Sequence, residues 1–404
     1  MSLCIGLMSG TSLDGVDGVL AAFEPEQAPR LLGHVYRPFD ARLKAELLAL
    51  NTSGADELHR AAVAANALAR AYAAVVETLL QSTKTDPRDV RAMGAHGQTV
   101  RHRPGEFDGI GYTLQLNAPA LLAELTGIDV IADLRSRDVA AGGSGAPLAP
   151  GFHRAVFAQP GATTAVLNIG GISNLTVVAP DGEEAIGFDC GPGNMLMDFW
   201  CERHTGQAFD ADGAWAASGT VDEVLLAAML AEPYFAIPAP KSTGRDLFNL
   251  RWLDGHLIDH SDPVPETATG AQIEGRSARP SPPSRKTART LIAPADVQAT
   301  LLELTARTCA ESVHQQAPGA RDLLICGGGA LNAQLMARLA ANLPGVRVDT
   351  TERAGIPPMQ VEACAFAWLA QAHVERRPGN LTAVTGARGP RVLGALYPGT
   401  PTAA

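Results

Sequence analysis

Apolar residues along this chain fall into short runs separated by turns of Gly, Ser, Thr and Asp. Residues 3–8 form one apolar run and residues 16–23 another, joined by the small, polar residues 9–15. Two runs joined in this way predict a hairpin of strands. Residues 56–81 are rich in Ala and Leu, with apolar positions at helical spacing. Residues 90–95 predict a buried strand that ends at His96-Gly97-Gln98-Thr99. Residues 129–132 predict a short strand with Asp133 and Arg135 at its end. The second half starts in the same manner, with a strand over 165–169, a tight turn Gly170-Gly171-Ile172-Ser173-Asn174, and a returning strand over 175–179. Further on come a strand over 322–326, a turn at Gly327-Gly328-Gly329 and a helix over 330–342. Alternating strands and helices predict an α/β protein in two lobes. The repeated strand, turn, strand unit hints at a duplication in pattern but not in letters.

Composition narrows this picture. The chain of 404 residues is 46% hydrophobic and 18% charged, which suits large cores and excludes a disordered chain. A formal net charge of −10 argues against a nucleic-acid partner. No run approaches the roughly 18 apolar residues of a membrane span, so no membrane association is expected. Residues 3–8 also lack the basic flank of a signal peptide. The six cysteines form no CxxC pair and read as reduced core thiols of a cytoplasmic protein. Residues 262–286 are dense in Pro, Ser, Thr, Gly and Arg. Such a segment cannot bury enough surface to offset its ordering entropy, and it predicts a mobile surface insertion.

Candidate chemistry gathers at the turns. In Ser9-Gly10-Thr11-Ser12-Leu13-Asp14-Gly15-Val16-Asp17, glycines admit a phosphate close to the backbone and hydroxyls donate to it. A carboxylate a few residues on can hold Mg²⁺ through water. A plain hairpin turn uses the same residue types. His96 to His102 clusters donors and acceptors at a strand end, where ligands of open α/β sheets bind, and a half-buried loop histidine is the plainer reading. Arg135 and Asp138, followed by the glycines of residues 142–145, form a second polar loop that suits either a ligand or a hinge. Asp189 sits between apolar residues and glycines, with room beside it for a substrate, as a general base requires. An Asx turn or a helix cap would use it equally well. Asp198 lies in a helical pattern and reads as structural. Gly327-Gly328-Gly329 ends a strand and opens a helix, with Asp349 about 20 residues on, as in a dinucleotide fingerprint. Asn332 stands where that fingerprint needs its third glycine.

Taken together, these motifs resemble the anhydro-N-acetylmuramic acid kinase family. The resemblance rests on residues 9–17, 96–100, 135–150, 168–176, 188–198, 240–244, 327–332 and 380–387, in order over nearly the whole chain. It implies two similar ribonuclease-H-like lobes of mixed sheet flanked by helices, with ATP in the cleft between them, as in sugar kinases, actin and heat-shock chaperones. The expected lobes are residues 1–135, rejoined by 375–404, and residues 136–374 with the insertion at 262–286. The implied reaction uses ATP and Mg²⁺. Water opens 1,6-anhydro-N-acetylmuramic acid at its anomeric carbon, and the freed oxygen on carbon six takes the γ-phosphoryl group. The product is N-acetylmuramic acid 6-phosphate, in peptidoglycan recycling.

By the same resemblance Asp189 is the base on the water. Gly10, Thr11, Ser12, Leu13, Asp14, Gly15, Val16 and Asp17 would meet the ATP phosphates, with Asp14 toward the hydrated Mg²⁺. Asn168, Gly170 and Gly171 would form the second phosphate turn, and Gly327, Gly328 and Gly329 would lie against the adenosine. His96, Gln98, Thr99, Arg135 and Glu362 would face the sugar, and a homodimer is compatible with the family. The sequence departs from the family pattern at Leu134, at Cys190 and at residues 358–361. Another ATP-dependent sugar or carboxylate kinase, a nicotinamide dehydrogenase and an actin-like ATP-gated protein are the competing readings.

Overall fold

The structure, a computed structural model, describes residues 1–10, 13–25, 27–182, 184–260 and 292–399. Thr11, Ser12 and the 262–286 segment lie outside the described residues. The strands are β1 (Ser2–Met8), β2 (Gly15–Phe23), β3 (Arg30–Pro38), β4 (Val90–Ala95), β5 (Gln98–Pro104), β6 (Gly111–Leu116), β7 (Val130–Ala132), β8 (Thr164–Ile169), β9 (Ile172–Val178), β10 (Ala185–Pro192), β11 (Asp322–Cys326), β12 (Arg347–Thr350) and β13 (Ala395–Tyr397).

Two mixed sheets carry the fold. The first runs β13-β7-β4-β1-β2-β3 and the second β10-β9-β8-β11-β12. In each, three consecutive strands form an antiparallel meander, and two later strands add in parallel beside the first of the three. The repeat that the sequence suggests is thus a repeat of topology. The first two strands of each meander enclose the small-residue turns, with Met8 opposite Asp17 in one and Ile169 opposite Ser173 in the other. A separate hairpin, β5 with β6, stands beside the first sheet.

Helices cover both sheets because each turns an apolar stripe inward. The helix Glu57–Thr83 buries Leu68, Tyr72, Val75 and Leu79 against β1, β2 and β4. By length and composition this helix is apolar enough to cross a membrane, contrary to the expectation that no such stretch exists. Its apolar stripe is used here for sheet packing. The helix Pro294–Gln316 fills the core of the second sheet.

The helix Val361–Val374 lies on β1 and β4. A Cβ on Gly6 would come 1.8 Å from the Ala363 carbonyl oxygen, and one on Gly94 would come 2.1 Å from that of Phe366. Only glycines allow so close an approach. This helix shares a core with residues of both sheets, among them Cys4, Ala92, Val166 and Leu324. The boundary expected at residue 374 therefore cuts between a helix and the sheet it covers. Beyond it the chain returns, and β13 pairs with β7. All six cysteines are free and buried.

Candidate active site

The turn after β1 is built from both its neighbours. Leu13 has a positive φ of 59°, and its N–H closes the turn onto Gly10 O. The Leu13 side chain is buried among Leu43, Leu47 and Val100, and Val16 is fully buried in the first sheet's core. Gly15 is required where the chain meets β3, because a Cβ there would sit 2.3 Å from the Arg37 carbonyl oxygen. Asp17 is bonded to His34 Nε2 at 2.9 Å. Asp14 is exposed and lies 3.2 Å from Lys44 Nζ, a cation at this turn that the sequence did not single out.

Below the turn two of the expected sugar-facing residues, His96 and Arg135, are hydrogen-bonded to each other. Ser9 donates from Oγ to Gly97 O, and His96 meets the Ser9 carbonyl with Nδ1 at 3.1 Å. A carbonyl can only accept, so Nδ1 carries the proton and Nε2 is the acceptor. Arg135 fills that acceptor from Nε and Nη2, and donates from Nη1 to Gly145 O at 2.8 Å. Burial, helped by the Arg135 charge, holds His96 down to about 3, so the ring stays neutral. Arg135 is itself pushed down to about 10 by burial. Gln98 donates from Nε2 to Gly10 O, and Thr99 accepts from Gln115. Glu362, in the first turn of Val361–Val374, is open to solvent yet deep in the protein. Burial raises its carboxyl, the Arg135 charge opposes the rise and Asp17 adds to it.

Asp189 occupies a different cluster. β10 has a bulge here, with Asp189 opposite Asn174 and Gly191 opposite Ser173, so Cys190 is the extra residue. Bulges re-aim side chains at strand ends. Asp189 Oδ2 accepts from Ser242 Oγ and from the Thr243 N–H, both at 3.0 Å. The backbone N–H of Asp189 donates to Lys241 O, and its carbonyl accepts from Tyr234 Oη at 2.7 Å. Oδ1 has no hydrogen-bond partner among the described residues. Burial raises the Asp189 carboxyl, opposed by the two bonds to Oδ2. The carboxylate is therefore held by one oxygen and free at the other, as a general base must be. Ser242 and Thr243 stand in a motif visible in the sequence, but nothing in the spacing tied them to Asp189. No hydrogen bond or ion pair among the described residues joins Asp189 to the His96–Arg135 cluster.

A third group gathers at the end of β8. Gly327, with φ of 78°, would place a Cβ 2.4 Å from Asn168 Oδ1, and Gly329 would place one 2.4 Å from Ile169. The carbonyls of Gly170 and Gly171 accept from Asn194 and Gly193. These glycines, Asn168 and Asn194 thus form a single cradle. Asn332 caps the helix Ala333–Asn342 by accepting from Leu335 N, so the helix begins three residues later than the sequence predicts. Asp349 pairs with Arg353. Asp198, read from sequence as structural, has no hydrogen bond or ion pair on its carboxylate among the described residues. Burial and the charges of Asp14 and Asp210 raise it to about 7.

A carboxylate held through one oxygen, with small-residue turns inside the meander that the two sheets share, is compatible with an α/β phosphotransferase. The comparisons with known proteins are more specific. The family profile described as anhydro-N-acetylmuramic acid kinase matches residues 2–399. A protein of that name from Variovorax paradoxus (strain S110) is 57% identical over 400 residues, covering 98% of this chain and 99% of its own. One from Bordetella petrii is 56% identical over 397 residues, covering 98% and 96%. The chain belongs to the anhydro-N-acetylmuramic acid kinase family and is a carbohydrate kinase.

Proposed function

We propose that this enzyme converts 1,6-anhydro-N-acetylmuramic acid, ATP and water into N-acetylmuramic acid 6-phosphate and ADP during peptidoglycan recycling. The observation that carries the chemistry is Asp189, fixed through Oδ2 with Oδ1 unengaged. Oδ1 takes a proton from a water that attacks carbon one of the sugar. The bond from carbon one to the bridging oxygen breaks, and that oxygen, now on carbon six alone, receives the γ-phosphoryl group as ADP leaves. Attack from the face opposite the bridge inverts the anomeric centre. Arg135, anchored by His96 and Gly145, suits the sugar carboxylate, and His96 serves as a neutral acceptor that orients it. Gln98, Thr99 and Glu362 belong to the same sugar side.

ATP is read as lying between the two sheets. Gly10, Leu13, Asp14, Gly15, Val16 and Asp17 would present backbone to its phosphates, because Leu13 and Val16 keep their side chains in the cores. Thr11 and Ser12 complete that reading, with Asn168, Gly170 and Gly171 as the second turn and Gly327, Gly328 and Gly329 toward the adenosine. For Mg²⁺ the fit is with a hydrated ion. Among the described residues no three His, Cys, Asp or Glu side chains converge as direct ligands. Asp198 is an unpaired, half-buried carboxylate within the field of Asp14, so Asp14 and Asp198 would hold the ion through water. Bound there it would neutralise phosphate charge.

Residues 1–135 with the C-terminal return, and 136–374, are kept as the two lobes, with the helix Val361–Val374 shared between them. Six buried free thiols support a cytoplasmic enzyme. The test is turnover in ¹⁸O-water with mass spectrometry of all products. One heavy oxygen is expected at carbon one of the sugar and none in ADP or the transferred phosphate. Heavy inorganic phosphate beside intact anhydro sugar would mean a simple ATPase and defeat the reading.

A further inference from the structure

The two donors on Asp189 Oδ2 come from a loop, and that loop needs its own support. Ser242 is exposed and Thr243 only half-buried, so neither is fixed by a core. Lys241, just before them, supplies the anchor. Its Nζ donates to Tyr234 O at 3.2 Å and to Phe235 O at 3.1 Å, and lies 4.7 Å from the centre of the Tyr234 ring. The three donors of the ammonium thus meet two carbonyls and one aromatic face. Both carbonyls belong to the short helix Pro233–Ala236. This helix is itself held in place, because Tyr234 is buried and both aromatic rings pack on Phe248.

The same helix reaches β10 by a separate route. Tyr234 Oη donates to the Asp189 carbonyl, and a Cβ on Gly191 would stand 2.7 Å from the Phe235 ring. The circuit then closes on the candidate base. Asp189 N donates to Lys241 O, Ser242 Oγ and Thr243 N donate to Asp189 Oδ2, and Lys241 Nζ returns to the helix that holds the Asp189 carbonyl. No ion pair among the described residues includes Lys241. A half-buried ammonium without a counter-ion gains little net stability from its burial, so what its bonds secure is the place of the loop. The effect on Asp189 has a direction. Donors on Oδ2 favour the charged carboxylate and oppose the burial that raises it. They also stop the carboxylate from rotating, which keeps Oδ1 in one orientation. A slack loop loses both.

We propose that Lys241 is a positioning residue for the base. Anchored on the carbonyls of Tyr234 and Phe235, it sets the loop so that Ser242 and Thr243 grip Asp189 Oδ2 and leave Oδ1 to the attacking water. This rests on the reading of Asp189 as the general base. The experiment compares wild type with Lys241→Met, Lys241→Arg and Ser242→Ala. It measures kcat against pH, KM for ATP and Tm. Lys241→Met keeps the stem and loses the donors. Its kcat should fall by about 10–100-fold, and its acid limb should move to higher pH. KM for ATP should stay within about twofold. Ser242→Ala should move the limb in the same direction. Lys241→Arg, which keeps donors for both carbonyls, should restore most of the rate and return the limb toward wild type. The limb reports Asp189, because the titratable groups facing it, Tyr234 and Cys190, are both pushed up by burial and stay neutral there, while Lys241 is charged on the acid side. Lys241→Gln, which keeps a donor for one carbonyl, gives the same reading should Lys241→Met not fold. A lower Tm with kcat and acid limb unchanged would make Lys241 merely structural and overturn the proposal. So would a lower kcat with a fixed limb and a raised KM for ATP, which would place Lys241 on the nucleotide. Near wild-type turnover by Asp189→Asn would defeat the base reading itself. An inactive Asp189→Asn beside an unchanged Lys241→Met would defeat this inference alone.

Discussion

At the scale of single residues, the two informative carboxylates are Asp189 and Asp198, and they differ in what surrounds them. Asp189 has two donors on Oδ2, and Asp198 has none. Asp189→Asn keeps the shape and the Oδ2 contacts but removes the basic oxygen. It should lower kcat by about 10²–10⁴ with little change in ATP affinity, checked by steady-state rates and calorimetric titration of nucleotide. Because burial raises the Asp189 carboxyl, the acid limb of the wild-type rate profile should lie above the usual aspartate range. Below that limb Oδ1 is protonated and cannot accept from water, so activity falls as pH falls. For Asp198 the sign concerns stability. Its folded value is raised to about 7 from an unfolded value near 4. Its contribution is complete below about pH 4 and is lost as pH rises through 7. In EDTA the wild-type Tm should therefore drop over that window more than the Tm of Asp198→Asn. MgCl₂ at pH 8 should recover part of the difference in wild type alone. Parallel Tm curves for the two proteins would contradict the unpaired Asp198 described above.

Among the elements, the sequence was most legible where a strand is apolar throughout. The strand over 90–95 was predicted to the residue, and the long helix over 56–81 is Glu57–Thr83. β3 was not foreseen, since its residues are all half-buried or exposed and alternate poorly. The β5–β6 hairpin escaped because its strands carry Arg, His and Gln in place of an apolar run. The individual site residues were legible as motifs, but their partners were not. Ser242 and Thr243 reach Asp189 across more than fifty residues, and no local spacing encodes such a pairing. The packing of Val361–Val374 on β1 and β4 yields a prediction at this scale. Gly6→Ala and Gly94→Ala would each drive a Cβ into the backbone of that helix. Backbone cannot step aside as a side chain can, so each should cost about 1–3 kcal/mol or more, read from urea unfolding midpoints. Glu362, proposed to face the sugar, lies in the first turn of the same helix, so KM for the sugar should rise with the loss of stability. An alanine at either position with an unchanged midpoint would show that the helix stands farther from the sheet.

Over the whole molecule, two sheets of one topology are held together by the shared helix and by the returning C-terminal segment. That return is fastened at several points. β13 pairs with β7, Gly399 N donates to Asp129, Ser144 N donates to Thr385 O, and Arg388 N donates to Ala141 O. At their centre is Asp138, fully buried and with no cation in an ion pair among the described residues. Its Oδ1 accepts from Asn380 Nδ2 at 2.7 Å and Thr385 Oγ1 at 2.8 Å, and its Oδ2 accepts from Gly145 N at 2.8 Å. Asn380 in turn accepts from Arg391 N. A buried carboxylate satisfied by three donors ties residues 136–145 to residues 380–391, more than 240 positions apart in sequence. Asp138→Ala would leave Gly145 N buried without an acceptor, at about 1–3 kcal/mol, and would leave Asn380 Nδ2 and Thr385 Oγ1 only their longer bonds to Gly389 O at 3.4 Å and Leu381 O at 3.3 Å. Asp138→Asn would turn an NH₂ toward at least one of the three donors. Both variants should lower Tm, with alanine the worse, and both should speed proteolytic release of the chain beyond residue 380. The loop from Gly142 to Gly145 leans on the same carboxylate and supplies the carbonyl that anchors Arg135. Weaker sugar binding should therefore accompany the loosened C-terminus, while nucleotide affinity changes less. A variant as stable and as protease-resistant as wild type would mean that the backbone pairing of β13 holds the return without Asp138.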